Sequence, residues 1–130
     1  MEKSFLKVKN YLLDLKVVID NENEANGTFI IRDENRGIFN MIIAVAEPIL
    51  IIEQKLFTLK NGDAPILTKL LIKNRDIIHG ALALGDDSKT VIYRDTLELE
   101  NLDFNELEAT LTSLELFLSE FAEEIINYSK

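Results

Sequence analysis

The chain contains one histidine and no cysteine, so acid–base or nucleophilic chemistry would have to be built around His79. It stands in KNRDIIHGALAL (Lys73 to Leu84), between apolar residues and a glycine. A general base needs an orienting carboxylate or a nucleophile within hydrogen-bond reach. Asp76 and Asp95 are the carboxylates on offer, and neither stands at a spacing that defines a dyad or triad. A lone imidazole without thiolates is also a poor basis for a tight transition-metal site. On a strand, His79 would share a side with Ala81 and Ala83, opposite Leu82 and Leu84. A structural or interface role is the plainer reading. A hydrolase pairing His79 with Asp95 is the enzymatic alternative.

The run Asp20-Asn21-Glu22-Asn23-Glu24 opens like a calcium loop, in which alternate oxygens converge on the ion. Ala25 then occupies the place of the turn glycine and Ile31 that of the closing glutamate, so a solvated loop is expected. Asp86-Asp87 reads as turn chemistry. There is no G-x-S-x-G elbow, and the five glycines are isolated, which leaves neither a phosphate loop nor a dinucleotide fingerprint. Glu108, Glu115, Glu120, Glu123 and Glu124 read as the wet face of a helix, with paired-carboxylate chemistry left open. The expectation is a protein that is not an enzyme, with no catalytic residue, no metal and no cofactor.

The 130 residues suit a single domain spanning 1–130, long enough to bury about two-thirds of the unfolded surface. An apolar fraction of 47% is that of a folded protein. The 23 acidic residues against 14 basic give a net charge of −9, which repels phosphate backbones and argues against nucleic acid. The basic residues are scattered, without the cluster a polybasic membrane anchor requires. MIIAVAEPILII (Met41 to Ile52) is too short to span a bilayer and is broken by Glu47 and Pro48. The amphipathic N-terminus lacks an apolar signal core, and the absence of cysteine gives no support to an oxidising compartment. A cytoplasmic location is expected.

Phe5, Val8, Leu12 and Leu15 recur at helical spacing and predict a helix over 4–16. VVIDNENEANG follows, with a polar second half expected to form a loop or hairpin. GTFIIRDE reads as a strand and Asp33 to Gly37 as a turn. IFNMIIAVAEPILIIEQKLFTL is rich in β-branched residues, and Glu47-Pro48 splits it into two strands. Asn61-Gly62-Asp63 ends the second, Asp63 can cap a helix and Pro65 fits its first turn. Leu67, Leu70 and Leu71 give that helix its apolar face, and Asn74 is its stop. IIHGALAL and TVIYRDTLEL form a hairpin around GDDSK, with His79-Gly80 opening its first strand. Asp103 and Glu106 make a capping pair, Leu102 and Leu107 a staple, for a last helix striped by Leu107, Leu111, Leu114, Leu118, Phe121 and Ile125. The predicted fold is α+β: three helices and a mostly antiparallel five-stranded sheet, in the order α-β-β-β-α-β-β-α.

The remaining resource is apolar. Phe39, Met41, Ile43 and Val45 alternate with Ile38, Asn40, Ile42 and Ala44, so that strand is apolar on nearly both faces. Leu50 to Ile52 behave alike, and three helices would cover one face well and the other in part. An uncovered apolar patch marks a protein partner or self-association. Phe39, Met41, Ile43, Leu50 and Ile52 are the residues expected on that surface, with His79 at an interface.

The chain resembles the type III secretion chaperone-like group, which includes the Tir chaperones (CesT-like) and the YbjN-like proteins. The matching features span about residues 4–126. They are the opening helix, GTFIIRD, the strand pair around Glu47-Pro48, LTKLLIKN, the hairpin IIHGALALGDDSKTVIYRDTLELENL and the final helix from LDFNELEATL. LLIKN…HGALAL and DTLELENLDFNELEATL look most like the YbjN-like branch. The resemblance implies a homodimer that binds polypeptide without chemistry, in a chaperone-like or regulatory role. An extended client would bind by strand addition at a sheet edge or in apolar pockets. The alternative is a small-ligand sensor with a pocket between sheet and helices and His79 or Tyr93 at its rim.

Overall fold

The structure, a computed structural model, describes residues 2–60 and 64–128. Helix α1 (Glu2–Asp14) leads into β1 (Val18–Asn23), β2 (Thr28–Asp33), a 3-10 turn (Glu34–Arg36), β3 (Ile38–Ala46) and β4 (Ile49–Thr58). Helix α2 (Ala64–Lys73), a second 3-10 turn (Asn74–Asp76), β5 (Ala81–Leu84), β6 (Thr90–Glu98) and α3 (Phe104–Tyr128) complete it. The strands form one antiparallel sheet in the order β1-β2-β3-β4-β6-β5. The sheet therefore has six strands where five were predicted. The extra one is β1, an edge strand exposed at nearly every position. With no face to bury, it has no apolar alternation for the sequence to display.

Local chemistry sets most boundaries. Asp103 and Glu106 form the predicted capping box: the Glu106 N–H donates to Asp103 Oδ1 at 2.8 Å, and the Asp103 N–H to Glu106 Oε1 at 3.3 Å. Leu102 and Leu107, the staple residues, are both buried. In the β5–β6 turn, Asp87 Oδ1 accepts from the N–H groups of Lys89 (2.9 Å) and Thr90 (2.8 Å), and Oδ2 from the Thr90 hydroxyl (2.6 Å). These bonds favour the ionised carboxylate and lower its pKa to about 2. Pro65 lies in the first turn of α2, as expected, while the Asp63 cap falls outside the described residues.

The helices all pack on one face of the sheet. Phe5, Val8 and Leu12 of α1, with Leu107, Leu111 and Leu114 of α3, meet Phe29, Ile31, Met41, Ile43, Leu50, Ile52 and Tyr93 in the main core. Leu70 of α2 packs with Phe57, Leu59 and Val91 in a smaller cluster that the end of α3 joins through Ile125 and Tyr128. Lys73 ties α2 to α3, its ammonium 2.5 Å from the Glu124 carboxylate and 3.9 Å above the Phe121 ring. The face expected for α2 is corrected at one position. Leu70 is buried, but Leu71 is 71% exposed, because one short helix offers the cluster only one stripe.

Candidate functional site

Residues with the opposite phase along the strands form a face without helical cover. Ile30 pairs with Ile42 and Ala44 with Ile51 across β2, β3 and β4. All four point away from the core, Ile42 being 44% exposed and the others half-buried. Phe39, 49% exposed, extends this apolar surface at the start of β3. Toward β6 the face turns charged, with Glu53 opposite Arg94 in the register and joined to it by an ion pair.

This overturns part of the predicted surface. Met41, Ile43, Leu50 and Ile52 are fully buried beneath the helices, and of the strand residues proposed only Phe39 is exposed. The cause is a register shift. Asn40 adopts a left-handed conformation (φ 49°) where the β2–β3 pairing slips, so Phe39 and Met41 fall on opposite faces. Buried Gln54 holds the irregularity: its Oε1 accepts from the Phe39 N–H at 3.2 Å and its Nε2 donates to the Gly37 carbonyl at 3.0 Å. Ile30, Ile42 and Ile51 were missed. The asparagine at the third position of β3 was the only signal that the phase would change.

A second apolar region is formed by α2 and β5. Leu71, Ile72 (56% exposed) and Leu84 face solvent beside a cavity of about 240 Å³, lined by Leu67, Leu70, Leu82 and Val91 among others. The β5 edge itself is occupied at its midpoint. The Asn74 carboxamide accepts from the Leu82 N–H at 2.6 Å and donates to the Leu82 carbonyl at 3.3 Å. The opposite edge, β1, carries a bulge between Ile19 and Asn21 and the ion pairs Asp20–Arg32 and Glu22–Lys9. Charges and bulges are what discourage strand addition. The guarded edges favour the face of the sheet over its margins as a binding surface.

His79 lies just before β5 and does not open it, since pairing begins at Ala81. Its backbone is a clamp. The His79 N–H donates to Ser113 Oγ (3.1 Å), and its carbonyl accepts from Ser113 Oγ (3.0 Å) and Tyr93 Oη (2.5 Å). Gly80 follows at φ +84°, and a Cβ there would sit 2.6 Å from Tyr93 Oη, so the joint needs glycine. Tyr93 is wholly buried, not at a pocket rim, and burial raises its pKa so that it stays a neutral donor. Asp95 is engaged elsewhere: it accepts from the Thr110 hydroxyl (2.7 Å) and the Thr96 N–H (2.8 Å). Among the described residues, no three of His, Asp or Glu gather where a metal ion could be held. No helix among them is long and apolar enough to cross a membrane.

Three solved structures share the fold. One is from the complex of the chaperone SchA with the effector HopA1, at 16% identity and TM-score 0.65, covering 95% of this chain and 98% of that one. YbjN from E. coli is 11% identical with TM-score 0.68, covering 92% of each chain. The Yersinia pestis type III secretion chaperone SycH, solved with a stable fragment of YscM2, is 17% identical with TM-score 0.61, covering 97% of this chain and 99% of that one. The comparison with curated proteins returns no relative. The CesT_Tir_1 family model matches residues 1–130. With a family match over its whole length and the helix-backed sheet of the secretion chaperones, the chain belongs to the CesT_Tir_1 family.

Proposed function

We propose that this protein is a non-enzymatic, cytoplasmic polypeptide-binding module, chaperone-like or regulatory, that works as a homodimer and holds an extended client. The helix-free apolar face around Ile30, Ile42, Ala44, Ile51 and Phe39 carries the reading. Apolar surface left uncovered in a folded domain is worth about 25 cal/mol per Å² when a partner covers it. The similar structures of SchA and SycH, each from a complex with another polypeptide, support it. For the homodimer we assign the outer side of α2. Lys69 is its only charged residue, Lys73 being turned to Glu124, so two copies of a chain with net charge −9 can approach there with no carboxylate of the helix between them. Leu71 and Ile72 supply the apolar contact. The cavity between α2 and the sheet, which the ligand-sensor alternative would use, is about 240 Å³, smaller than the roughly 300–1,000 Å³ of small-molecule sites.

The test uses a permanently unfolded, reduced and alkylated protein as client. Binding by fluorescence anisotropy should weaken tenfold or more in Ile42→Glu and stay within twofold in Leu71→Glu. Light scattering should give twice the chain mass for wild type and Ile42→Glu, and the chain mass alone for Leu71→Glu. Unchanged client binding in a folded Ile42→Glu/Ile51→Glu protein would refute the sheet-face reading.

A further inference from the structure

We propose that a trough along the outer flank of α3 holds a basic amphipathic helix of a partner polypeptide. Two adjoining hollows make it, one of about 350 Å³ and one of about 70 Å³, and Ile78, Ser113 and Leu116 line both. Its floor is apolar and open: Ile78 is 76% exposed and Leu116 49%. An exposed isoleucine in a loop would ordinarily fold back onto the nearest apolar surface. Ile78 cannot, because the neighbouring His79 backbone is clamped to Ser113 and Tyr93 by three hydrogen bonds. The apolar anchor is thus held outward before anything binds, which lowers the ordering cost of association.

Charge and backbone chemistry select the occupant. Asp76, Glu108 and Glu120 line the trough, and the cations beside it, Lys73 over the Phe121 ring and Arg36 on Thr112, are already paired with Glu124 and Glu115. None of the three carboxylates has an ion-pair partner among the described residues. An apolar floor between unpaired acids fits a partner with apolar residues flanked by Lys or Arg. The walls are α3 and the connection after α2, so no strand edge lines the trough. A helix satisfies its own backbone groups and so can lie along α3 without a strand edge to pair with. From Asn105 to Phe121 the trough runs roughly 24 Å at 1.5 Å per residue, room for about four helical turns. This surface is separate from the sheet face, and it meets α2 only where Lys73 lies over Phe121.

The experiment titrates the full chain with a fluorescent 16-residue Leu/Lys peptide whose leucines form one helical stripe. Anisotropy should report saturable binding, weakened tenfold or more by Leu116→Ser and by Glu108→Lys/Glu120→Lys, and unaffected by Ile42→Glu. The charge-reversed protein should in turn bind the matching Leu/Glu peptide, which shows that it remains folded. Amide shifts in NMR spectra should cluster at residues 76–79 and 105–121. Equal binding of a peptide with the same composition but scattered leucines would overturn the proposal, as would shifts confined to the sheet face or no binding at millimolar peptide. The same shifts on concentrating the protein alone would give the trough to a second copy, and also overturn it.

Discussion

The Asn74 carboxamide meets Leu82 as a neighbouring strand would, taking one hydrogen bond and giving another. Leu82 is a β5 residue whose backbone points away from β6, so these groups would otherwise be open to any passing chain. Asn74→Ala should cost about 0.5–1.5 kcal/mol in urea unfolding, the usual net value of a hydrogen bond whose groups water can reach, and raise light scattering at high concentration. Asn74→Asp should do no better, because a carboxylate cannot donate to the Leu82 carbonyl. Asp87 yields a pH prediction. Its folded pKa of about 2 lies below the ordinary 3.8, so its contribution is complete above pH 3.8 and is lost as pH falls toward 2. The Asp87 carboxyl carbon and the Thr90 amide should titrate together in that window by NMR, and a midpoint near 4 would refute the assignment. Of these two residues the sequence disclosed one fully. A turn aspartate bonds to its own neighbours, so Asp87 was legible, whereas Asn74 acts on a strand eight residues away and read only as a helix stop.

The elements divide by how much of each is buried. Both long helices were legible because a regular face of each meets the sheet, and α3 announced its start with Asp103 and Glu106. Asp103→Ala should cost about 1 kcal/mol of stability, measured in urea, as the loss of an N-cap does; no change would mean that burial of Leu102 and Leu107 alone fixes the start. Strand β1 was illegible for the converse reason, since its order comes from β2 and not from a hydrophobic pattern. The candidate face was half legible. Two-sided apolar strands correctly announced an uncovered surface, but the helices decide which side it is, and the shift that puts Phe39 there is braced by Gln54 from another strand.

Across the whole molecule, charge and apolar surface are distributed unevenly. The α2 side offers leucine and isoleucine among lysines, the α3 flank offers Ile78 and Leu116 among carboxylates, and the sheet face offers isoleucines bounded by the Arg32–Asp20 and Glu53–Arg94 ion pairs. Under the functions proposed above, three surfaces of different character would let one small chain meet a copy of itself and other polypeptides without the contacts competing. None of them requires the sheet to grow. A protein that works beside unfolded chains is surrounded by strands seeking partners, and an open margin would make it a seed for their aggregation. With β1 bulged and charged and β5 met by Asn74, a sheet that carried such a chain as cargo, as proposed, would not become the template on which it spreads.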